Sequence, residues 1–234
     1  GNDVEIFDNG TDKFRALLDD IASARSYIHL QYYIIVDDKI GNRVIDALCE
    51  RACAGVKVRV IYDHVGSFKL SRRALRRMKE AGVEAHPFFK VVFPPFGTRI
   101  NWRNHRKLVI IDGRVGYIGG MNIALRYVNG TNGLKWRDTM TRITGGGVLA
   151  LQRAFLIDWY FVDRTLISNR KYYPTTPPTI QNDCLIQIVT SSPVAPYPDI
   201  MQGYLRVIMS ARKYIFIETP YFLPTNSILF ALKT

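Results

Sequence analysis

The sequence predicts an α/β fold in which helices flank a mixed β-sheet, and three observations point to it. Strand-like apolar runs alternate with amphipathic helical patterns through the first half of the chain. A hairpin pattern follows within residues 104–122, and a segment near the beginning of the chain recurs near its end. Strands that alternate with helices are typical of parallel pairing, and a hairpin adds antiparallel pairing. The sheet is therefore expected to be mixed.

The first four elements follow from hydrophobic periodicity. Apolar residues at helical spacing between positions 14 and 21 predict a first helix, and the aromatic and β-branched run 27–36 predicts a buried strand. A second helical pattern covers residues 44–52 and ends near Gly55, and residues 56–62 form a second strand-like run. These elements make up one strand–helix–strand unit.

A basic segment leads from this unit towards the hairpin. Residues 69–79 combine a dense set of lysines and arginines with helical spacing, and residues 83–87 form a short strand-like run. A loop rich in proline and glycine over residues 94–103 precedes the hairpin at residues 108–118, which turns at Asp112. We expect this hairpin to lie at the end of the sheet, fed by the loop.

Charged and small residues at the two ends of the hairpin suggest a phosphate site. His105 and Lys107 are two residues apart on an extended segment, so their side chains share a face. A phosphate between them would have its oxygens neutralised by the lysine while the histidine attacks phosphorus. Gly119 and Gly120 permit close backbone approach, and the amide of Asn122 can donate to an anion.

The whole pattern resembles a known signature. His-x-Lys-x4-Asp-x6-Gly-Gly-x-Asn, from His105 to Asn122, is similar to the motif of the phospholipase D superfamily. The Gly-Gly-Met-Asn ending, WRDT at Trp136 to Thr139 and ETPYFLP at Glu218 to Pro224 resemble the bacterial cardiolipin synthases within it. The likeness covers nearly the whole chain and implies a phospholipase D-like fold. Gly119 stands where many members have serine, so one hydroxyl contact to phosphate is absent.

The resemblance implies a role for each motif residue. His105 would be the nucleophile that forms a phosphohistidine, and Lys107, Gly120 and Asn122 would hold the phosphoryl oxygens. A general acid on the opposite side must protonate the leaving alkoxide, and the superfamily takes it from a second copy of the motif.

The attacking histidine also needs an acceptor that orients its ring, and two carboxylates compete for this role. Asp138, in the WRDT segment, is the candidate that matches the family, although a surface ion pair with Arg137 is an alternative. Asp112 lies at the turn end of its strand, several residues from His105, so we interpret it as a structural acceptor that braces the turn.

The implied activity is phosphatidyl transfer between two phosphatidylglycerol molecules, which gives cardiolipin and glycerol without a cofactor. Two alternatives stay open. A phosphodiesterase or nuclease of the same superfamily would use the same hairpin, and a non-catalytic basic membrane-binding module would need only the basic helix. The module alone would not explain why histidine, lysine and asparagine surround a Gly-Gly turn.

Charge and cysteine content indicate the kind of partner and the cellular compartment of the protein. The 234 residues contain 32 Lys and Arg against 20 Asp and Glu, so the net charge of +12 favours an acidic partner. The charge alone does not distinguish nucleic acid from an anionic membrane surface. The resemblance implies phosphatidylglycerol and an anionic membrane as the partners, and does not favour nucleic acid. Three cysteines, Cys49, Cys53 and Cys184, do not form an even disulfide framework, and neither they nor the scattered histidines have metal-ligand spacing. A reducing compartment without a bound metal follows.

An internal repeat predicts duplication. Residues 16–30 match residues 203–217 in their apolar positions and in a shared Ser-Ala-Arg. Residues 1–168 would form a first domain with the motif, residues 169–183 a proline-rich linker, and residues 184–234 the beginning of a second domain with a strand over 214–219 and a helix over 226–232.

The repeat also predicts that the chain holds one half of a two-motif enzyme. No second His-x-Lys follows the repeat, so we expect the chain alone to be inactive and to self-associate weakly through unpaired edges. It opens with Gly1 and contains no apolar run of about 18 residues, whereas the resemblance implies N-terminal membrane helices. An upstream anchor at the cytoplasmic side of a bacterial membrane is therefore expected.

Overall fold

The computed structural model describes residues 1–90, 103–174, 179–192, 195–219 and 221–234. Two compact units are present, Gly1–Gln187 and Ile188–Thr234. Most of the predicted loop over residues 94–103 and the centre of the predicted linker lie outside the described residues. The division of the chain into duplicated domains stays a prediction.

The first unit is built on one seven-stranded mixed sheet in the order β1-β7-β6-β5-β2-β3-β4. The strands are β1 (Asn2–Phe7), β2 (Tyr27–Tyr32), β3 (Lys57–Asp63), β4 (Glu84–Phe88), β5 (Leu108–Ile111), β6 (Val115–Gly119) and β7 (Met140–Gly145). β2, β3 and β4 are parallel neighbours, and the remaining pairs are antiparallel. The predicted mixed sheet is confirmed.

The position predicted for the hairpin is wrong. β5 and β6 lie in the middle of the sheet, where Leu108 pairs with Gln31 of β2 on one side and with Ile118 of β6 on the other. The reason is that β1 and β7, which the sequence did not reveal, pair with each other and extend the sheet beyond β6. β5 itself is therefore paired on both sides, and the His105 segment leads directly into it.

Helices cover the sheet, and the first three of them begin at side-chain caps. They are α1 (Gly10–Ser23), α2 (Lys39–Cys53), α3 (Arg72–Glu80), α4 (Arg126–Asn129) and α5 (Gly147–Asp163). Asp38 Oδ1 accepts from two backbone N–H groups of the first turn of α2, and Ser71 Oγ accepts from Ala74 N in α3. Gly55, just after α2, has a φ of 90°, which allows the chain to reverse into β3.

The two faces of the sheet differ in chemistry. Residues of α1, α2 and α3 form the main apolar core with one face, to which β2 contributes Ile28 and Leu30. The alternate residues His29 and Gln31 point to the opposite face, where α5 packs. His29 stacks on Phe155 with 4.5 Å between ring centroids, so the second face buries polar groups as well as aromatic rings.

The beginning of the predicted linker is part of the first unit and packs within it. Arg170–Tyr172 form a 3-10 helix, and the side chain of Tyr172 is buried. Tyr27 Oη donates to the Tyr172 carbonyl at 2.8 Å, and Arg59 Nη1 donates to Tyr172 Oη at 3.1 Å. These hydrogen bonds fix the chain after α5 on the face that α5 covers.

The second unit contains two helices that pack on each other, α6 (Asp199–Ser210) and α7 (Asn226–Lys233). α7 corresponds to the helix predicted over residues 226–232. The strand predicted over residues 214–219 is wrong, because this segment pairs with no strand in the described part of the chain. Its aromatic side chains stay exposed, as Tyr214 and Phe216 show. Strand propensity alone does not make a strand of a segment that pairs with no neighbour.

The carboxylate of Asp112 ties the turn of the central hairpin to the loop before β2. It accepts hydrogen bonds from the backbone N–H groups of Arg25, Ser26 and Tyr27, each at 2.8 Å. Asp112 itself has a φ of 52°, in the left-handed region, which aspartate and asparagine tolerate better than most residues. It is a structural acceptor, but it braces the α1–β2 junction and not its own turn.

Asp112→Asn is therefore expected to lower the free energy of unfolding by about 2 kcal/mol, since a charged acceptor is lost and an amide N–H then faces a backbone N–H. Urea denaturation of the chain measures the change. The control is Asp19→Asn, which alters an exposed carboxylate of α1 and should leave stability within about 0.5 kcal/mol of the parent. Equal effects of both substitutions would show that Asp112 does not brace this junction.

Candidate active site

His105 and Lys107 are in direct contact at the entrance of β5. Lys107 Nζ lies 2.9 Å from His105 Nδ1 and 3.2 Å from Nε2, and it donates to the His105 carbonyl at 2.6 Å. Residues 103–107 belong to no strand, and β5 begins only at Leu108. The expected proximity is observed. The ring of His105 reaches solvent, whereas Lys107 is only 3% exposed.

An aromatic side chain covers this pair. The ring of Tyr33, just after β2, lies 4.7 Å from the ring of His105 between centroids, and Lys107 Nζ is 5.5 Å from the centroid of Tyr33. The electron-rich face of a tyrosine attracts an ammonium group at this distance. Tyr33 thus covers one side of the lysine ammonium. An anion that neutralises this charge would have to approach from the side of His105.

Burial and charge shift the pKa values of both residues. The pKa of His105 is lowered from its usual value by partial burial first and by the Lys107 cation second, while Asp63 and Asp138 oppose the shift. Burial lowers the pKa of Lys107 to about 8, and Asp138 opposes this shift too. A histidine in this environment is neutral at pH 7, as a nucleophile must be.

Gly120 brings the WRDT segment to the pair. A Cβ atom at Gly120 would lie 2.0 Å from Asp138 Oδ1, so only glycine allows the carboxylate to occupy its place. Asp138 Oδ1 accepts from Thr139 N at 2.7 Å, and Gly120 N donates to the Thr139 carbonyl at 2.8 Å. Because the charge of Asp138 acts on both His105 and Lys107, its carboxylate belongs to the site, and its orienting role stays a prediction.

Asn122 is buried at the far end of the motif, with 4% of its surface exposed. Its Oδ1 accepts from Ile34 N at 3.0 Å, and its Nδ2 donates to Tyr127 Oη at 2.8 Å. Asn122 thus joins the segment after β6 to the segment after β2. Its second amide hydrogen remains for a phosphate, so the predicted donation to phosphate stays a prediction. Gly119 ends β6 with its Cα against the Thr139 carbonyl, where a side chain would overlap that oxygen.

Sequence reasoning missed a buried carboxylate at the end of β3. The side chain of Asp63 is fully buried. Its Oδ1 accepts from Val65 N at 3.0 Å and Gly66 N at 2.9 Å, and its Oδ2 accepts from Asn104 N at 3.2 Å. The hydrogen bond from Asn104 N fixes the backbone immediately before His105. An acidic residue at the end of a strand-like run was the available signal.

A second missed carboxylate comes from α5. Asp158 Oδ2 accepts from Gln31 Nε2 at 2.6 Å and from Asn104 Nδ2 at 2.8 Å, and it also pairs with the guanidinium of Arg106. The neighbours of His105 on both sides are thus fastened to one oxygen. No pattern in the sequence singles out this aspartate, because its partners come from two separate segments, β2 and residues 104–106.

Two negative findings apply to the described ranges alone. Within them, no group of three or more histidine, cysteine, aspartate or glutamate side chains could hold a metal ion. No helix there has the length and apolar character needed to cross a membrane.

A phospholipase D-like domain is the class of protein that this fold and this His-Lys pair define. Residues 17–139 match the family model described as cardiolipin synthase, PLD-like domain. Because this match covers more than half of the chain, the chain belongs to that family.

Known proteins show how far the likeness extends. Cardiolipin synthase of Oceanobacillus iheyensis is 45% identical over 235 residues, which cover 99% of this chain and 48% of that protein. Major cardiolipin synthase ClsA of Bacillus subtilis is 42% identical over 236 residues, which cover 99% of this chain and 48% of the relative. The chain therefore spans about half the length of these curated relatives.

A solved structure supports the fold alone. Nuc from Salmonella typhimurium, a phospholipase D family member, superimposes with a TM-score of 0.51 at 18% sequence identity. The match covers 68% of this chain and 95% of that chain.

The site geometry predicts opposite changes in the pKa of His105. Lys107→Met removes the neighbouring cation and should raise the pKa of His105 towards its usual value of 6.5, whereas Asp138→Asn removes a favourable anion and should lower it further. Titration of the histidine ring resonances by NMR measures both changes, with His105→Gln to identify the signal among the four histidines.

Lys39→Met, which removes an exposed lysine of α2, is the control and should leave the His105 titration unchanged. A pKa that moves in the same direction in Lys107→Met and Asp138→Asn would contradict the arrangement of charges.

Proposed function

We propose that this chain provides the nucleophile for phosphatidyl transfer from one phosphatidylglycerol to another, giving cardiolipin and glycerol. One observation carries the proposal. A histidine that reaches solvent and is neutral at pH 7 lies within 3 Å of an almost fully buried lysine ammonium. This pair combines an attacking nitrogen with a cation that binds the oxygens of the same phosphate.

The reaction proceeds in two displacements. A ring nitrogen of His105 attacks phosphorus, the bond from phosphorus to the glycerol oxygen breaks, and a general acid protonates the departing oxygen. The hydroxyl of a second phosphatidylglycerol then attacks the phosphohistidine, loses its proton to the same group acting as base, and regenerates His105. Lys107 neutralises the phosphoryl oxygens in both steps.

The low pKa of Lys107 fits this role. Its charged form is disfavoured by burial and has only a partial offset from Asp138, so an additional anion nearby stabilises it. A bound phosphodiester supplies that anion, which couples substrate binding to the charge of the lysine. Above a pH of about 8 the free site loses this charge, so affinity for the phosphodiester should fall.

The general acid must come from a second motif. The sequence contains one His-x-Lys set, and two of its other histidines, His29 and His86, are engaged on the α5 face of the sheet, with Arg59 and Asp163 respectively. We therefore propose that the partner histidine belongs to a second copy of the domain. The 234-residue chain alone is expected to be inactive.

The identity of the lipid rests on the relatives. Two proteins that match nearly the whole chain at more than 40% identity are named cardiolipin synthases. The net charge of +12 suits an anionic substrate held in an anionic membrane, and we place the activity at the cytoplasmic face of a bacterial membrane.

Lipid analysis after incubation with phosphatidylglycerol tests the proposal. A protein that joins this chain to a second complete copy should release glycerol and form cardiolipin. His105→Ala in that protein should lower the rate at least about a thousandfold, because no other group in the site can form the covalent intermediate.

His86→Gln is the matched control, since it keeps a donor for Asp163 and lies outside the site, and it should retain activity. Hydrolysis to phosphatidate, without cardiolipin, would support the phosphodiesterase alternative. Substantial turnover by His105→Ala, or cardiolipin formation by the 234-residue chain alone, would overturn the assignment of the nucleophile or of the second motif.

A further inference from the structure

Two loops of the first unit expose apolar side chains at their tips. The Phe68 loop, residues 64–70 between β3 and α3, exposes 76% of Phe68 as well as the side chain of Val65. The Trp136 loop, residues 130–138 between α4 and β7, exposes 75% of Leu134 as well as the indole of Trp136. A large part of each of these apolar side chains is therefore in contact with solvent.

The Phe68 loop is hydrogen-bonded to the candidate active site. The carboxylate of Asp63 accepts from two N–H groups of this loop with one oxygen and from the N–H of Asn104, next to His105, with the other. The loop also packs on Tyr33, since a Cβ at Gly66 would lie 2.4 Å from the Tyr33 carbonyl. Movement of the loop relative to His105 is therefore restricted.

The Trp136 loop ends at the site as well. It leads directly into Asp138, whose carboxylate fills the space beside Gly120 and acts on the charges of His105 and Lys107. A surface that contacted both loop tips would consequently lie over the residues that are proposed to bind phosphate.

Cations accompany both tips. Lys69 Nζ lies 5.8 Å from the ring centroid of Phe68, and the guanidinium of Arg126 lies 5.3 Å from that of Trp136. Lys135 is exposed within the Trp136 loop. Among the residues that the structure describes, no carboxylate is within ion-pair distance of these three cations. The charges of the exposed Lys69 and Lys135 are available to an anionic surface, while Arg126 is partly covered by aromatic rings.

We propose that the Phe68 and Trp136 loops together form a membrane-docking surface for an anionic lipid bilayer. The apolar tips enter the boundary between head groups and acyl chains, and the neighbouring cations contact the lipid phosphates. The inference rests on the proposed function. Docking through both loops would bring lipid phosphates to the level of these cations, where His105 attacks one of them.

Bilayer docking fits these features better than binding of another macromolecule. Aliphatic tips such as Leu134 and Val65 cannot stack on nucleic acid bases, and a protein partner would be expected to bring carboxylates to a fixed set of positions. A bilayer requires apolar tips beside cations without a specific arrangement, and this is the combination observed.

Site-specific fluorescence tests whether the tips enter the bilayer. The vesicles contain phosphatidylcholine and phosphatidylserine, so that docking is measured without the proposed substrate. Phe68→Trp adds an indole at one tip, and Ile6→Trp adds one at an equally exposed position of β1, where 69% of the native side chain is accessible. The difference from the parent isolates each added tryptophan.

The Phe68→Trp signal should shift to shorter wavelength and be quenched by lipids that carry a nitroxide on the acyl chain, whereas the Ile6→Trp signal should not. Quenching of both to the same extent, or of neither, would overturn the proposal. The comparison is independent of the exposed apolar residues of the second unit, because these are the same in both variants.

Vesicle sedimentation provides the second measurement. The double variant Phe68→Ser/Leu134→Ser should bind roughly tenfold more weakly than the parent, since two apolar side chains no longer leave water. Ile6→Ser, the matched control, should bind as the parent does. Raising the salt from about 0.1 M to about 1 M should weaken binding of the parent, because exposed cations are then screened. Equal losses in the double variant and the control would refute the proposal.

Docking and catalysis fail separately. If a two-copy protein forms cardiolipin normally, but its loop variants bind vesicles as the parent does, the docking surface is refuted and the proposed function is not. Selective quenching at position 68 without any phosphatidyl transfer would refute the proposed function and leave the docking surface in place.

Discussion

The contact between the ammonium of Lys107 and the ring of His105 is the interaction on which the rest of the site depends. A buried cation against an imidazole is unfavourable in isolation, since burial and the cation both oppose protonation of the histidine. It becomes useful when an anion lies between the two groups. Without substrate, the contact is unfavourable, so hydrogen bonds from the surrounding structure are needed to hold both side chains in place.

The sheet supplies that rigidity through buried carboxylates. Asp63 holds the backbone before His105, and Asp158 holds the side chains of the residues that flank it. Both aspartates lie outside the His-x-Lys motif. The motif thus provides the chemistry, while the end of β3 and one turn of α5 determine where the histidine ring can point.

Sequence patterns predicted the elements that are stabilised by residues close together in the chain. Helical spacing located α1 and α2, and the turn at Asp112 located the hairpin, because each depends on residues close in sequence. β1, β7 and α5 were missed. β1 pairs with β7, which lies more than 130 residues later in the chain, so no local pattern indicates this pairing. The central position of the hairpin could not be predicted without them.

The candidate site was predictable to a similar degree. The two-residue spacing of His105 and Lys107 was enough to bring them together, and Asp138 came from the family resemblance. Asp158 could not have been found, because its partners Gln31 and Asn104 lie on separate segments that only the folded sheet brings together. The strand predicted over residues 214–219 failed for the opposite reason, as its propensity is strong but the segment pairs with no strand among the described residues.

The most direct test of the account is to trap the covalent intermediate. A two-copy protein mixed rapidly with phosphatidylglycerol, then quenched and digested under alkaline conditions that preserve phosphohistidine, should yield a peptide in which His105 carries the phosphatidyl group by mass spectrometry. Lys107→Met should greatly reduce the amount trapped, and Lys39→Met should not. A lipid adduct on any residue other than His105 in the first copy, with His105 unmodified, would contradict the central claim.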